Sequence, residues 1–417
     1  MLTALSRIPT ASALSRTTGG MCGVSLTKTV LLLNHYERLG PRVALEVDAL
    51  RQAGYAVRVI HWAAAPVESA SPRAGAVTEE HLSYPRPRGT LNVLRALPSY
   101  YRRLTRHVAA GGFAFVHCTH FMLLPLALHL ARRHRAKAIY DVYEFHLHDI
   151  AEGLPRWLRW LVPLLRSVER FCVRRVNGIL TVDSADHWLE QRYAELNPNV
   201  RVLFNVPDID RPMPKVPEAL ERKYAGRRVV TYVGGMSEQK GALRAVEATA
   251  RIAAAVPESI CLFIGVFHGT TETRFWELVS EAGLSDHVEH IPWLAYDVML
   301  EQLELADVGL ALHQSARRYM LVGKGNGRKM FTYMQVGLPI VGPDFGALGD
   351  LIRDEDVGIA VDTGDPAAIA DAVARILRDD PLAARYAENG RRAIAERYNW
   401  SLERGKLLEL YSALEEA

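Results

Sequence analysis

The sequence predicts an α/β protein built of two doubly wound parallel-sheet domains in tandem, facing each other across a cleft. Three observations predict it. From Lys28 onward, short apolar runs bounded by turn residues alternate with helix-length amphipathic segments, the pattern of βαβ units and a parallel sheet. The alternation stops at a proline-rich, charged stretch, Pro207–Lys223, and then restarts, so that stretch reads as a linker. The 417 residues are long for one domain and ample for two. The expected divisions are a disordered leader over 1–27, a first domain over 28–206, a second over 207–390, and a helical segment over 391–417 that is free to pack back on the first domain.

Taken in order, the leader is rich in Ser, Thr and Arg and contains no Asp or Glu. It lacks the apolar core of a secretory signal; it reads as a disordered tail or an early start ahead of Met21, with a weak likeness to a transit peptide. TVLLLN is a buried strand and RVALEVDALRQAG an amphipathic helix stopped by Gly54. YAVRVIHW is the next strand, and Ala63 to Ser83 is irregular. LNVLRALPSYYRRLTRHV is a basic helix, FAFVHCTH a strand, Phe121–Arg133 a helix, AKAIYDVYEF a strand running into a loop, Pro155–Val176 a helix, GILTVDS a strand, and RVLFNVPD a closing strand and turn. The second half repeats the pattern with RVVTYVGG, SICLFIGV, HVEHIPWL, DVGLALH, IVG and GIAVD as strands. Helices lie between them and run from Pro381 to the end. Ligands in such sheets bind beyond the carboxyl ends of the strands.

Composition is that of a water-soluble globular protein, 49% hydrophobic and 23% charged. No apolar run approaches the ~20 residues of a membrane span. Cys22, Cys118, Cys172 and Cys261 show no metal-ligand or CxxC spacing, which points to a reducing compartment and a cytoplasmic protein. Net charge is +3, divided as +11 over residues 1–205 and −8 over the remainder. A basic first half fits an anionic partner, either a membrane surface, a phosphorylated substrate or a nucleic acid. Nucleic acid is the weakest of these, because the basic residues are not interleaved with aromatics in a known motif. No GxGxxG with a following acid marks a dehydrogenase.

Two stretches carry the signal for an anion site. Lys324 to Asp344, KGNGRKMFTYMQVGLPIVGPD, places Lys324, Gly325, Gly327, Arg328 and Lys329 just before a short helix. Free N–H groups at a helix start and close-approaching glycines favour a phosphate. The turn Gly234-Gly235 followed by Lys240 at a helix start is a second phosphate cradle, the plain alternative being a solvated first-turn lysine. In the first half, Asp141, Tyr143 and Glu144 follow a buried strand, where acidic groups could orient a hydroxyl or take its proton, or cap the next helix. The segment 155–176 carries Arg156, Arg159, Arg166, Arg170, Arg174 and Arg175 with Trp157, Trp160, Leu161 and Leu164. It reads either as a basic amphipathic helix for an anionic membrane or as a helix packed on the sheet and interrupted at Pro163.

In their order and separation, ERLGPRVALEVDALRQAGYAVRVI, IYDVYEF, VNGILTVDSAD, VLFNVP, TYVGGMSEQKGALRAVEA and KMFTYMQVGLPIV resemble the retaining glycosyltransferases of family 4, which have the GT-B fold. The resemblance covers nearly everything from Lys28 to Tyr411. It implies a nucleoside-diphosphate sugar held by the second domain at Gly234, Gly235, Lys240, Arg328, Lys329 and Thr332, with no cofactor and no metal. It implies an acceptor, lipid-linked or a small metabolite, on the first domain near Gly40 and Arg42, with Asp141, Tyr143 and Glu144 at the reacting centre. The sequence departs from the family pattern in four places. Gly235 stands where an arginine is common, Thr332 replaces the ribose-binding glutamate, Lys324 replaces the glutamate eight residues earlier, and Tyr143 replaces a histidine. Either Arg328 and Lys329 compensate, or donor use has changed, as in a tailoring transferase of secondary metabolism or a non-catalytic partner protein. A nucleotide-sugar epimerase is the remaining relative of the same fold.

Overall fold

A computed structural model describes residues 28–63, 77–85, 90–315 and 317–417, and the leader read over 1–27 lies outside them. The first sheet has seven strands: β1 (Thr29–Asn34), β2 (Ala56–Ala63), β3 (Val77–Ser83), β4 (Phe115–Cys118), β5 (Lys137–Val142), β6 (Gly178–Thr181) and β7 (Val200–Val202), in the order β3-β2-β1-β4-β5-β6-β7. The second has six: β8 (Arg228–Val233), β9 (Ser259–Ile264), β10 (Val288–Ile291), β11 (Val308–Leu310), β12 (Ile340–Pro343) and β13 (Gly358–Val361), in the order β10-β9-β8-β11-β12-β13. Every neighbouring pair is parallel. The central strands are buried on both faces, which is why they read as continuous apolar runs instead of alternating ones. In each sheet the order reverses beside the first strand, between β1 and β4 and between β8 and β11, and that reversal opens a crevice at the carboxyl ends.

Three elements differ from the sequence reading. Ala63–Ser83 was expected to be irregular, yet Val77–Ser83 is the edge strand β3. Its polar residues hid it; they pair across the edge, Arg58 donating to Glu80 through Nε at 2.6 Å and Nη2 at 3.0 Å. Pro155–Val176 is not one helix. A 3₁₀ turn over Arg156–Leu161 precedes an α-helix over Val162–Val173, and Pro163 sits in that helix's first turn, where its missing N–H costs nothing. The loop read after β5 contains a helix, His146–Gly153.

The two domains meet along the end of the first sheet. Asn205 donates its N–H to Gly325 O at 2.8 Å and its side-chain amide to Asn326 Oδ1 at 2.6 Å. Asp183 Oδ2 accepts from Gly325 N at 2.8 Å, and Ala185 N donates to Leu321 O at 3.0 Å. The final helix, Trp400–Glu416, returns to the first domain and buries Leu407, Leu410, Tyr411 and Leu414 against β1, β4 and β6. Tyr411 Oη lies 2.8 Å from His117 Nδ1. Where the chain crosses back, Trp400 N donates to Pro207 O at 2.8 Å, beside the outgoing crossing. No helix of the described residues is long and apolar enough to cross a membrane.

Candidate functional site

The strongest constellation lies at the carboxyl end of β8. Gly234 has φ of 117°, a conformation that a side chain makes costly. Gly235 is held bare for a different reason, since a Cβ there would fall 2.5 Å from His268 Nε2 and 3.4 Å from Lys240 Nζ. Lys240 closes a short 3₁₀ turn, Glu238–Lys240, whose N-cap Ser237 accepts from Lys240 N. Lys329, on the helix Arg328–Val336, approaches from the other side, and its chain lies 3.6 Å from where a Gly234 Cβ would be. Its ammonium is fully buried and makes no hydrogen bond, resting 3.9 Å from the centroid of the Tyr232 ring. Burial, with Lys240 nearby, lowers its pKa to about 7. His268 is likewise pushed below its ordinary value by burial and by Lys240. A buried, unpaired cation beside a second one is costly unless an anion completes it, and two bare glycines leave room for that anion to approach.

The remaining donor-side expectations divide. Arg328 is half-buried; burial works against its charge, and Glu144 of the first domain is among the groups that support it. Lys324 does not join the cradle, because its ammonium pairs with Asp354. Thr332 does not present its hydroxyl to a ligand either. It is buried, with Oγ1 donating to Arg328 O at 3.1 Å, the back-bond typical of a helical threonine.

On the first domain, Glu144 is exposed and Tyr143 half-buried, and burial raises the Tyr143 hydroxyl pKa. Gly40 caps the helix Pro41–Gln52 with open space where a Cβ would stand. Asp141 and Arg42 are corrections. Both are buried and committed to each other: Arg42 Nη2 donates to Asp141 Oδ1 at 2.7 Å and Nε to Glu46 Oε1 at 2.9 Å. Alternation along β5 sends Asp141 to the face opposite Tyr140 and Val142. Burial and Asp141 push the Glu46 carboxyl up to about 7, while Arg42 acts the other way. Arg42 also reaches Leu203 O at 3.2 Å and Asn205 Oδ1 at 3.5 Å, so it positions the strand end that carries the interdomain contact.

The sequence reading missed a histidine cluster at the same sheet end. His35 stacks on His120 with centroids 4.0 Å apart, and His146 is tilted by 41° against His120 at 4.2 Å. Each follows a different strand, β1, β4 or β5, so only the sheet order brings them together. Arg38, in the loop after β1, reaches across to Trp293 of the second domain at 5.6 Å.

Among the described residues, two groups bring ligand-type atoms within 4.8 Å of one another, Glu46–His117–Asp141 and Asp183–His187–Glu190. The first already holds the Arg42 guanidinium between its carboxylates. In the second, Asp183 accepts from Gly325 N and Glu190 from Ser184. Neither includes a residue of the cation cradle.

Two doubly wound parallel-sheet domains in tandem, of seven and six strands, have the GT-B fold. The first domain matches the family model "Glycosyl transferase 4-like domain" over residues 39–205, and the second matches "Glycosyl transferases group 1" over 218–393. The chain thus belongs to the glycosyltransferase family. It is similar to a GDP-mannose-dependent alpha-(1-6)-phosphatidylinositol monomannoside mannosyltransferase of Mycobacterium tuberculosis, 25% identical over 293 residues, 68% of this chain and 72% of that one. It is also similar to a 2-deoxystreptamine glucosyltransferase of Streptomyces kanamyceticus, 28% identical over 230 residues, 52% of this chain and 56% of that one. Among solved structures, a sucrose-phosphate synthase of Thermosynechococcus elongatus superposes with a TM-score of 0.71 at 18% identity, covering 93% of this chain and 99% of that one.

Proposed function

We propose that the protein is a retaining, metal-independent glycosyltransferase of family 4. It moves a hexose-type sugar from a nucleoside-diphosphate donor to an acceptor, which is a lipid-linked saccharide or a small metabolite. The observation that carries the reading is the buried, unpartnered ammonium of Lys329 beside Lys240 at the Gly234-Gly235 turn. A donor diphosphate fits that place, and its charge grows as the sugar departs. Cations fixed in a dry site then stabilise the transition state more than the ground state. Arg328 reaches the cleft from the donor side and Glu144 from the acceptor side, so closure of the domains brings the acceptor hydroxyl toward the anomeric carbon and excludes water. Without a carboxylate placed as a nucleophile, the departing diphosphate assists attack on the same face of the sugar.

The experiment is a titration with nucleoside diphosphates, followed by a thermal-shift screen of nucleotide sugars. Binding in the micromolar range with turnover of one donor is expected. No binding of UDP, GDP or another nucleoside diphosphate at millimolar concentration would leave only the partner-protein reading.

A surface observation favours the lipid-linked branch and a cytoplasmic enzyme lying against the inner face of a membrane. Trp157 and Trp160 are each 69% exposed, with Leu164 at 57% and Phe171 at 53%, and they stand among Arg156, Arg159, Arg166, Arg170, Arg174 and Arg175. Indoles flanked by arginines suit an anionic bilayer interface. Flotation with phosphatidylglycerol vesicles at low salt tests this, and absence of binding would favour a soluble acceptor, as in a tailoring transferase.

A further inference from the structure

A cavity of about 490 Å³ lies in the first domain, on the sheet face opposite the Arg42 cluster. Its floor is Tyr140 of β5, and its walls include His148, Arg159, Arg166, Trp188 and Arg192. Leu321 of the second domain also lines it, and Leu321 O accepts from Trp188 Nε1 at 3.0 Å. The cavity therefore touches the seam between the domains, a few residues before the loop that leads to Arg328.

Three guanidiniums, Arg159, Arg166 and Arg192, and one carboxylate, Glu169, line it among the described residues. Arg192 is neutralised by Glu169, which also accepts from Tyr193 Oη at 2.9 Å. Among the described residues no carboxylate lies within 4 Å of the Arg159 or Arg166 guanidinium, although Arg166 helps Arg192 to hold the Glu169 carboxylate charged. The second observation is independent of these cations. Tyr140 is fully buried, and its hydroxyl has no hydrogen-bond partner although it lines the cavity. An orphaned buried hydroxyl carries a desolvation penalty that a ligand oxygen would remove. Two guanidiniums and a hydroxyl donor suit the oxygens of a phosphate, and the volume holds an organic group besides the anion itself.

We infer that this cavity binds a phosphoryl group carried by the acceptor, which rests on the glycosyltransferase reading above and narrows its acceptor to a phosphorylated one. The 3₁₀ turn Arg156–Leu161 serves both surfaces, turning Arg159 into the cavity while Trp157 and Trp160 stay exposed outside it. A phosphate could arrive on a lipid headgroup or on a soluble molecule, and the chemistry of the cavity is the same for either.

The test titrates the full-length protein with glycerol phosphate and, separately, with UDP. Glycerol phosphate binds the wild type, and the double variant Arg159→Gln/Arg166→Gln binds it about tenfold more weakly or worse, a loss near 1.4 kcal/mol, with UDP affinity unchanged. Both positions are exposed, so the variant folds. Tyr140→Phe keeps or raises the melting temperature, because it deletes an unsatisfied group, and still weakens glycerol phosphate binding. Release of phosphatidylglycerol vesicles by millimolar glycerol phosphate identifies the source as a lipid headgroup; binding of glycerol phosphate without release identifies a soluble phosphate. Wild type that binds UDP but not glycerol phosphate, or variants that bind glycerol phosphate as tightly as wild type, overturn the inference while leaving the donor reading intact. Loss of UDP binding in the wild type counts against the donor reading alone.

Discussion

Lys329 Nζ stands 3.9 Å from the centre of the Tyr232 ring, and Lys240 is the neighbouring charge that lowers its pKa. The free protein holds these like charges together, with the face of the Tyr232 ring against Lys329. Lys329→Met is expected to weaken nucleoside-diphosphate binding about tenfold or more, while the free protein's melting temperature holds or rises, since an unpaired buried charge is removed. Calorimetric titration and thermal unfolding check this. A melting temperature that falls with affinity unchanged would assign Lys329 to packing.

The same lysine makes a pH prediction. Its pKa is about 7 in the folded chain against a usual 10.5, so between those values the unfolded state binds more protons than the native state. Stability of the ligand-free protein should therefore rise as pH increases from about 7 toward 10 through this group, and Lys329→Met should flatten that rise. An anion in the cradle raises the pKa again, so nucleoside-diphosphate binding at pH 8 should take up protons. Titrations in buffers of different ionisation enthalpy measure the uptake.

Gly235→Ala tests the cradle's shape. Its Cβ would meet His268 Nε2 at 2.5 Å, and because His268 is a side chain it can move, so the fold survives. Displacement of His268 into the space beside Lys240 should lower nucleoside-diphosphate affinity several-fold, with little change in melting temperature. Unchanged affinity would mean that the anion sits elsewhere.

Thr332→Val separates position from chemistry. The Thr332 hydroxyl is committed to Arg328 O, so its removal should change nucleotide affinity by less than about twofold, a few tenths of a kcal/mol. A large loss would return Thr332 to the ribose.

Arg42→Met should cost about 3–5 kcal/mol of stability, because Asp141 and Glu46 would be left buried without their cation. Chemical denaturation reads this directly. Normal stability with lost activity would place Arg42 at the acceptor instead.

These contrasts show what the chain discloses before it folds. Both sheets were legible because strands such as TVLLLN and RVVTYV are buried on two faces and read as unbroken apolar runs. The edge strand β3 was not legible, since Thr78, Glu79 and Glu80 look like loop residues until Arg58 and His61 are seen beside them. Lys240 and Lys329 could be named from their glycine-rich surroundings, but their approach to each other depends on where the helix Arg328–Val336 lies against β8. Asp141 was misjudged for a related reason: a carboxylate at a strand end faces either the cleft or the opposite helix, and Arg42, a hundred residues earlier in the chain, decides which. The His35–His120–His146 cluster has no sequence signal, because its members follow three strands that only the sheet order makes neighbours.

The hydrogen bond from Trp400 N to Pro207 O has a mechanical consequence. It fastens the outgoing and returning chain crossings together, like two adjacent knuckles of a door hinge. Paired pivots resist twisting and sideways sliding but permit rotation about the line through them. The lobes should therefore open and shut along a single arc, so that each closure returns Glu144 and Arg328 to the same facing register.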